Sequence, residues 1–175
     1  MNPDLKKLKT KSSFLSGNMV ELLNYRIQQE ELSSRIYLAM SVSLDDMGYK
    51  TASKLWKKFS DEELSHANKA REFLLSFDIL PETRPLESVK QDYKGLPEII
   101  RDTLKHEELI TTQCQELSKK SLQENNMLVF SLGQFYCAEQ VEEMSKSFDL
   151  VNLLDLYGED KLALKMLEHE LESWL

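Results

Sequence analysis

Four long stretches of this 175-residue chain carry an apolar stripe at helical spacing, and each stripe is broken near its middle by a polar or acidic side chain. The clearest runs Ala52, Trp56, Phe59, Glu63, His66, Ala70, Phe73, Phe77. Its steps alternate four and three, so all of these side chains share one helix face. Most are apolar or small, as a face buried against other helices requires. The two in the centre are a carboxylate and an imidazole, one turn apart. An unpaired buried charge costs several kcal/mol and therefore comes with a counter-ion or a metal. Glu63-x-x-His66 directs both groups to one spot, so the fold must let other helices deliver ligands there.

The other stripes have the same form. A first helix, about residues 18–46, carries Leu23, Ile27, Glu30, Ser34, Tyr37, Ser41 and Leu44. Gly48 is suited to a C-terminal cap, and so short a turn makes the second helix, about residues 49–77, its antiparallel neighbour. A third, about residues 96–122, carries Ile100, Thr103, Glu107, Ile110, Cys114, Leu117 and Ser121. A tight turn leads to a fourth, about residues 126–156, with Val129, Gly133, Tyr136, Gln140, Glu143, Ser147, Leu150 and Leu154 inward. Gly158 breaks the chain before a short fifth helix, about residues 160–174. Its face of Leu164, Leu167, Leu171 and Trp174 needs a partner in the bundle or in another subunit.

Pro81, Pro85 and Gly95 punctuate the connection between the second and third helices, with Pro97 just beyond. Its roughly 17 residues, extended, cover about 55 Å. A helix of about 28 residues is only about 42 Å long. The connection can therefore run the whole length of the bundle, letting the third helix start level with the second and run parallel to it. The expected fold is all-α: a four-helix bundle with one long crossover and a short C-terminal helix.

Counting from the turns tests whether the polar positions meet. Glu30 lies about 16 residues before the first turn and Glu63 about 15 after it, roughly 23 Å from it in both cases. Glu107 and Gln140 stand about 17 and 15 residues either side of the second tight turn. All four helices thus place their interruption near mid-height, and no Lys or Arg stands on the stripes. Three carboxylates and a histidine at one level need a cation. Oxygen-rich ligation with one imidazole suits non-haem iron or manganese, and zinc tolerably. One metal takes Glu30, Glu63 and His66; a second takes Glu63 and Glu107, with Gln140 or Glu143 close by. Glu63 is the natural bridge.

Composition agrees with a cation as partner. The net charge of −8 disfavours nucleic acid. No apolar run approaches the roughly 20 residues of a membrane span. Lys6, Lys7, Lys9 and Lys11 are not followed by an apolar segment, so no secretory signal is expected. Residues 1–17 read as a tail and 18–175 as one domain. Cys114 and Cys137 lie within helical patterns and read as small core fillers, reduced in a cytoplasmic setting. His106 and His169 fall off the inward stripes and read as surface residues.

The segments LNYRIQQEELSSRIYLAM (residues 23–40), EELSH (62–66), KHEELIT (105–111) and YCAEQVEE (136–143) resemble those of bacterial non-haem ferritins, and the likeness extends from about residue 18 onward. The resemblance implies a cytoplasmic, 24-subunit homo-oligomeric shell. It would bind Fe(II), oxidise it with O2 or H2O2 at a di-iron ferroxidase centre and store the ferric product. Glu30, Glu63 and His66 match the first iron site, and Glu63 with Glu107 the second, completed by Gln140 or Glu143. Glu62, Glu139, Glu142 and Glu143 match a third iron site nearby, although an ordinary exposed face explains the flanking glutamates equally well. Tyr37 matches the tyrosine beside the centre, its side chain leaning toward the Glu30 level.

Two departures from relatives narrow the reading. The fourth helix lacks the second Glu-x-x-His of bacterioferritins and rubrerythrins. Leu64 stands where bacterioferritins carry a haem-ligating methionine, so no haem is expected. The alternatives are a non-catalytic ferritin-type storage or assembly subunit and a rubrerythrin-like peroxide-reducing protein. The full ligand set argues against the first. The lack of an extra histidine and of a Cys-x-x-Cys module argues against the second.

Overall fold

A computed structural model describes residues 14–175; the lysines assigned to the N-terminal tail lie outside them. The described chain forms α1 (Gly17–Asp46), α2 (Lys50–Ser76), α3 (Leu96–Gln123), α4 (Met127–Tyr157) and α5 (Lys161–Glu170), which ends in a 3-10 turn, Leu171–Trp174. No strand occurs among the described residues. Side-chain caps start three of these helices: Ser16 accepts from the Met19 amide, Asn126 from Val129, and Asp160 from Leu162 and Ala163. Gly48 takes φ +85° between α1 and α2, a conformation that a side chain would strain.

The chain from residue 77 to residue 95 has no helix and lies along α1. The Glu82 amide donates to Asn24 Oδ1 (2.9 Å), Gln28 Nε2 donates to the Pro85 carbonyl (2.8 Å), and Ser43 Oγ to the Gln91 carbonyl (3.1 Å). These anchors climb α1 from near its start to near its end. They deliver α3 to the end of the bundle where α2 begins, and there Leu96 and Ile100 pack with Ala52, Leu55 and Trp56. Helix α3 therefore runs parallel to α2, as the length of the connection allows. Gly133 lets α4 approach α3 closely, since a Cβ there would sit 2.6 Å from Ser118 Oγ.

The apolar core is divided into two blocks. One, around Trp56, Leu44 and Leu150, fills the end near the α1–α2 turn. The other, around Leu23, Leu74, Ile110 and Val129, fills the opposite end. Between them lies a buried polar layer of Glu30, Ser34, Ser60, Glu63, Glu107 and Gln140. Helix α5 closes the first block from the end: Leu164, Leu167 and Leu171 are buried in it. Glu168 accepts the Thr51 amide in the first turn of α2 (2.9 Å). The apolar face of the fifth helix thus finds its partner within the same chain. No described helix is long and apolar enough to cross a membrane.

Candidate metal centre

Glu30 from α1 and Glu63 with His66 from α2 each offer a ligand atom, and these atoms lie within 4.8 Å of one another. The i, i+3 spacing on α2 puts His66 Nδ1 3.4 Å from Glu63 Oε2. The other ring nitrogen, Nε2, lies 3.5 Å from Glu139 Oε2 on α4. The hydroxyl of Tyr136 donates to the His66 carbonyl (2.8 Å) and anchors this turn of α2 to α4.

Glu107 on α3 sits in the same layer with both oxygens engaged. The Tyr37 hydroxyl donates to Oε1, and Gln140 Nε2 donates to Oε2 (2.9 Å). Gln140 Nε2 also reaches Thr111 Oγ1 (3.1 Å). Tyr37 thus meets the α3 carboxylate in the layer that also holds Glu30. Glu143 accepts from Lys146 Nζ (2.8 Å), and the same ammonium lies 3.8 Å from Glu62 Oε2. Glu142 is exposed. Of the flanking glutamates, Glu139 is therefore beside His66, Glu62 and Glu143 share a lysine, and Glu142 faces outward.

Three residues belong to this neighbourhood that the stripes did not predict. Arg26 is buried, and its Nε lies 2.9 Å from Glu30 Oε1. The expectation of a layer without basic residues is thus corrected: Arg26 stands one position off the stripe and still turns inward. Its signal was the i, i+4 spacing Arg26-x-x-x-Glu30. His106 is not a surface residue. Its Nε2 lies 2.8 Å from Ser33 Oγ, and its ring meets Tyr37 edge-on at 5.6 Å. Lys146 is the third, and its signal was the i, i+3 spacing from Glu143. His169 is exposed, and both cysteines are free thiols, Cys114 buried and Cys137 partly so.

The electrostatics express one fact: acid groups are crowded where water is scarce. Burial is the first cause raising Glu30, Glu63 and Glu107 above the ordinary carboxylate range. Arg26 pulls Glu30 back down, and the hydrogen bonds from Tyr37 and Gln140 do the same for Glu107. The phenol of Tyr37 is pushed well up by burial and then by the adjacent Glu107 and Glu63 charges. Burial and the Arg26 charge lower His106 to about 4, so it stays neutral. Burial works against the charge on Lys146, but its bond to Glu143 and the charges of Glu143, Glu62 and Glu142 together outweigh that and raise it.

The donor set fits a divalent or trivalent cation. Glu30 Oε2 is buried and has no hydrogen-bond partner among the described residues. Such an acceptor, in a layer of further carboxylates and with Arg26 only on the other oxygen, is free to bind a cation. Hard oxygen donors with a single imidazole match iron or manganese, with zinc tolerated.

Comparison with known proteins gives the family of the fold. The ferritin-like domain model matches residues 20–156. A probable bacterial non-haem ferritin-like protein of Haemophilus influenzae is 33% identical over 157 residues, spanning 90% of this chain and 95% of that protein. A bacterial non-haem ferritin of Escherichia coli is 28% identical over 159 residues, spanning 91% and 96%. Among solved structures, the open-pore ferritin of the hyperthermophilic archaeon Archaeoglobus fulgidus superposes with a TM-score of 0.87 at 33% identity, covering 90% of this chain and 96% of that one.

Proposed function

This chain belongs to the ferritin-like domain family, and on that premise we propose that it stores iron, oxidising Fe(II) at a two-iron centre inside each subunit. The observation that carries the reading is the meeting of Glu30, Glu63 and His66 within 4.8 Å in a buried layer that also holds Glu107. Iron is here the substrate. One Fe(II) binds Glu30, Glu63 and His66, and the second binds Glu63 and Glu107 with Gln140 or Glu143. Each Fe(II) gives up one electron, so a pair reduces O2, with two protons, to H2O2, or reduces H2O2 to water. Anionic oxygen donors favour Fe(III) over Fe(II) and so promote the oxidation.

The protein's own groups set the order of events. Glu107 exchanges its bonds to Tyr37 and Gln140 for the metal, and Tyr37 remains close as a hydrogen-bond donor. Glu143 leaves Lys146 if it is to bind the second iron. Glu62, Glu139 and Glu143 would line a third position on the α2–α4 side once Lys146 gives way, and the ferric product departs through it; Glu142, which faces outward, stands apart from it. The ferric mineral then collects in the cavity of a 24-subunit shell. Glu63→Ala tests the centre, because it removes the only carboxylate shared by both irons. The variant should assemble as the wild type does and lose rapid Fe(II) oxidation. Oxidation at the wild-type rate would refute the proposal.

A further inference from the structure

Arg26 is a buried cation with a single anionic partner, and that partner is a metal ligand. Its side chain is 2% exposed, with Nε 2.9 Å from Glu30 Oε1. Nη1 reaches only Cys114 Sγ at 3.5 Å, and burial raises that thiol to about 12, leaving it uncharged. Arg26 Nε and Nη2 and Glu30 Oε2 all lack a well-aimed hydrogen bond among the described residues. The ion pair is therefore a contact of charges rather than a satisfied fork. A guanidinium cannot relieve its burial by losing its proton. Without Glu30 it would be an uncompensated charge in the core, which is strongly destabilising.

We propose that Arg26 is a positioning residue that serves as resident counter-ion of Glu30 in the metal-free protein and thereby weakens the first metal position. The inference rests on the reading of Glu30 as a ligand. When a cation arrives, Glu30 must serve two positive centres at once. The guanidinium is buried between α1 and α3, held by Glu30 and reaching Cys114, so its repulsion acts on the bound metal in a setting where charges are poorly screened. Arg26 thus trades affinity for stability: it neutralises the empty site and keeps the filled one from holding its ion too tightly. For a centre that must pass its product onward, loose binding is an advantage.

The test uses Zn(II), which binds without redox chemistry, titrated calorimetrically into the assembled, metal-free full chain. Arg26→Met keeps the volume and removes the charge. We expect Zn(II) affinity at one position to rise by about tenfold or more, and the thermal midpoint of the metal-free protein to fall further than that of the zinc-saturated protein. The tightening should disappear when Glu30→Ala is also present, because the effect is a coupling between these two residues. A purely structural role would lower both midpoints equally and leave the affinity unchanged or weaker, which overturns the inference. Should Arg26→Met fail to fold, Arg26→Lys keeps the charge and should bind zinc within about threefold of wild type; tenfold tightening there overturns the inference. Wild-type protein that takes up no zinc overturns the metal-centre reading itself. Two zinc ions bound with no response to Arg26→Met refutes this inference alone.

Discussion

The hydroxyl of Tyr37 on α1 donates to Glu107 Oε1 on α3, so the carboxylate proposed for the second metal position is held across the bundle. Gln140 holds the other oxygen from α4 (2.9 Å). Three helices thus converge on one side chain.

Tyr37→Phe should therefore cost stability and order at once. It leaves a buried carboxylate oxygen without its donor, a loss of about 1–3 kcal/mol in the metal-free protein. Because the bond lowers the Glu107 pKa, its loss should raise that group further. Chemical denaturation checks the stability, and the initial rate of Fe(II) oxidation should fall because Glu107 is no longer aimed. Unchanged stability would show that the hydrogen bond contributes nothing to the empty site.

The pH dependence of the metal-free protein follows from the same crowding. Burial raises Glu63 from 4.5 to about 8. A carboxyl raised on folding adds stability that is fully present below about pH 4.5 and lost as pH climbs through about 8. Metal-free protein should thus be less stable at pH 8.5 than at pH 5.5. Metal binding displaces that proton, so zinc affinity should rise across the same window and release protons into the buffer. Urea melts at the two pH values, with and without zinc, measure both effects; metal-free stability that increases with pH would contradict the account.

Lys146 makes a separate prediction on the α2–α4 side. Its ammonium lies 2.8 Å from Glu143 and 3.8 Å from Glu62, in the space the proposed third position would need. Lys146→Gln removes that competing cation, so the variant should bind about one more Co(II) per subunit than wild type. Equal stoichiometry by equilibrium dialysis would mean that Lys146 does not limit binding there.

At the end of the bundle, Trp56 Nε1 donates to Thr103 Oγ1 (2.9 Å) between α2 and α3. Thr103→Val keeps the shape and strands the indole N–H in the core. The expected loss is about 1–3 kcal/mol by thermal or chemical melting, and metal affinity should stay as in wild type. A stability change below about 0.5 kcal/mol would show that the hydrogen bond is worth nothing net.

The sequence reveals the architecture because a charge inside an apolar stripe is hard to explain any other way. Glu30, Glu63 and Glu107 declared themselves by standing where a Leu belongs, and level counting put them in one layer. Arg26, His106 and Lys146 were hidden for a geometric reason. A bundle helix buries an arc wider than a single file of residues at alternating steps. Long side chains that start at the flank can still turn into the core, as Arg26 does. Glu168 was invisible for another reason: it caps α2 from a helix more than a hundred positions away (|i−j| = 117), and no local pattern announces such a contact. The direction of Tyr37 was partly legible, since its helix fixes where it leans, but which carboxylate it would meet depended on how α3 packs.

The most direct test of a two-iron ferroxidase centre is anaerobic loading of metal-free protein with Fe(II), followed by O2 and stopped-flow detection of ferric absorbance on a size-separated assembly. The account predicts a rapid phase that saturates at about two Fe(II) per subunit, from the two positions sharing Glu63, and is absent from Glu63→Ala. Oxidation no faster than that of Fe(II) in buffer, or a rapid phase that survives the loss of Glu63, would contradict it.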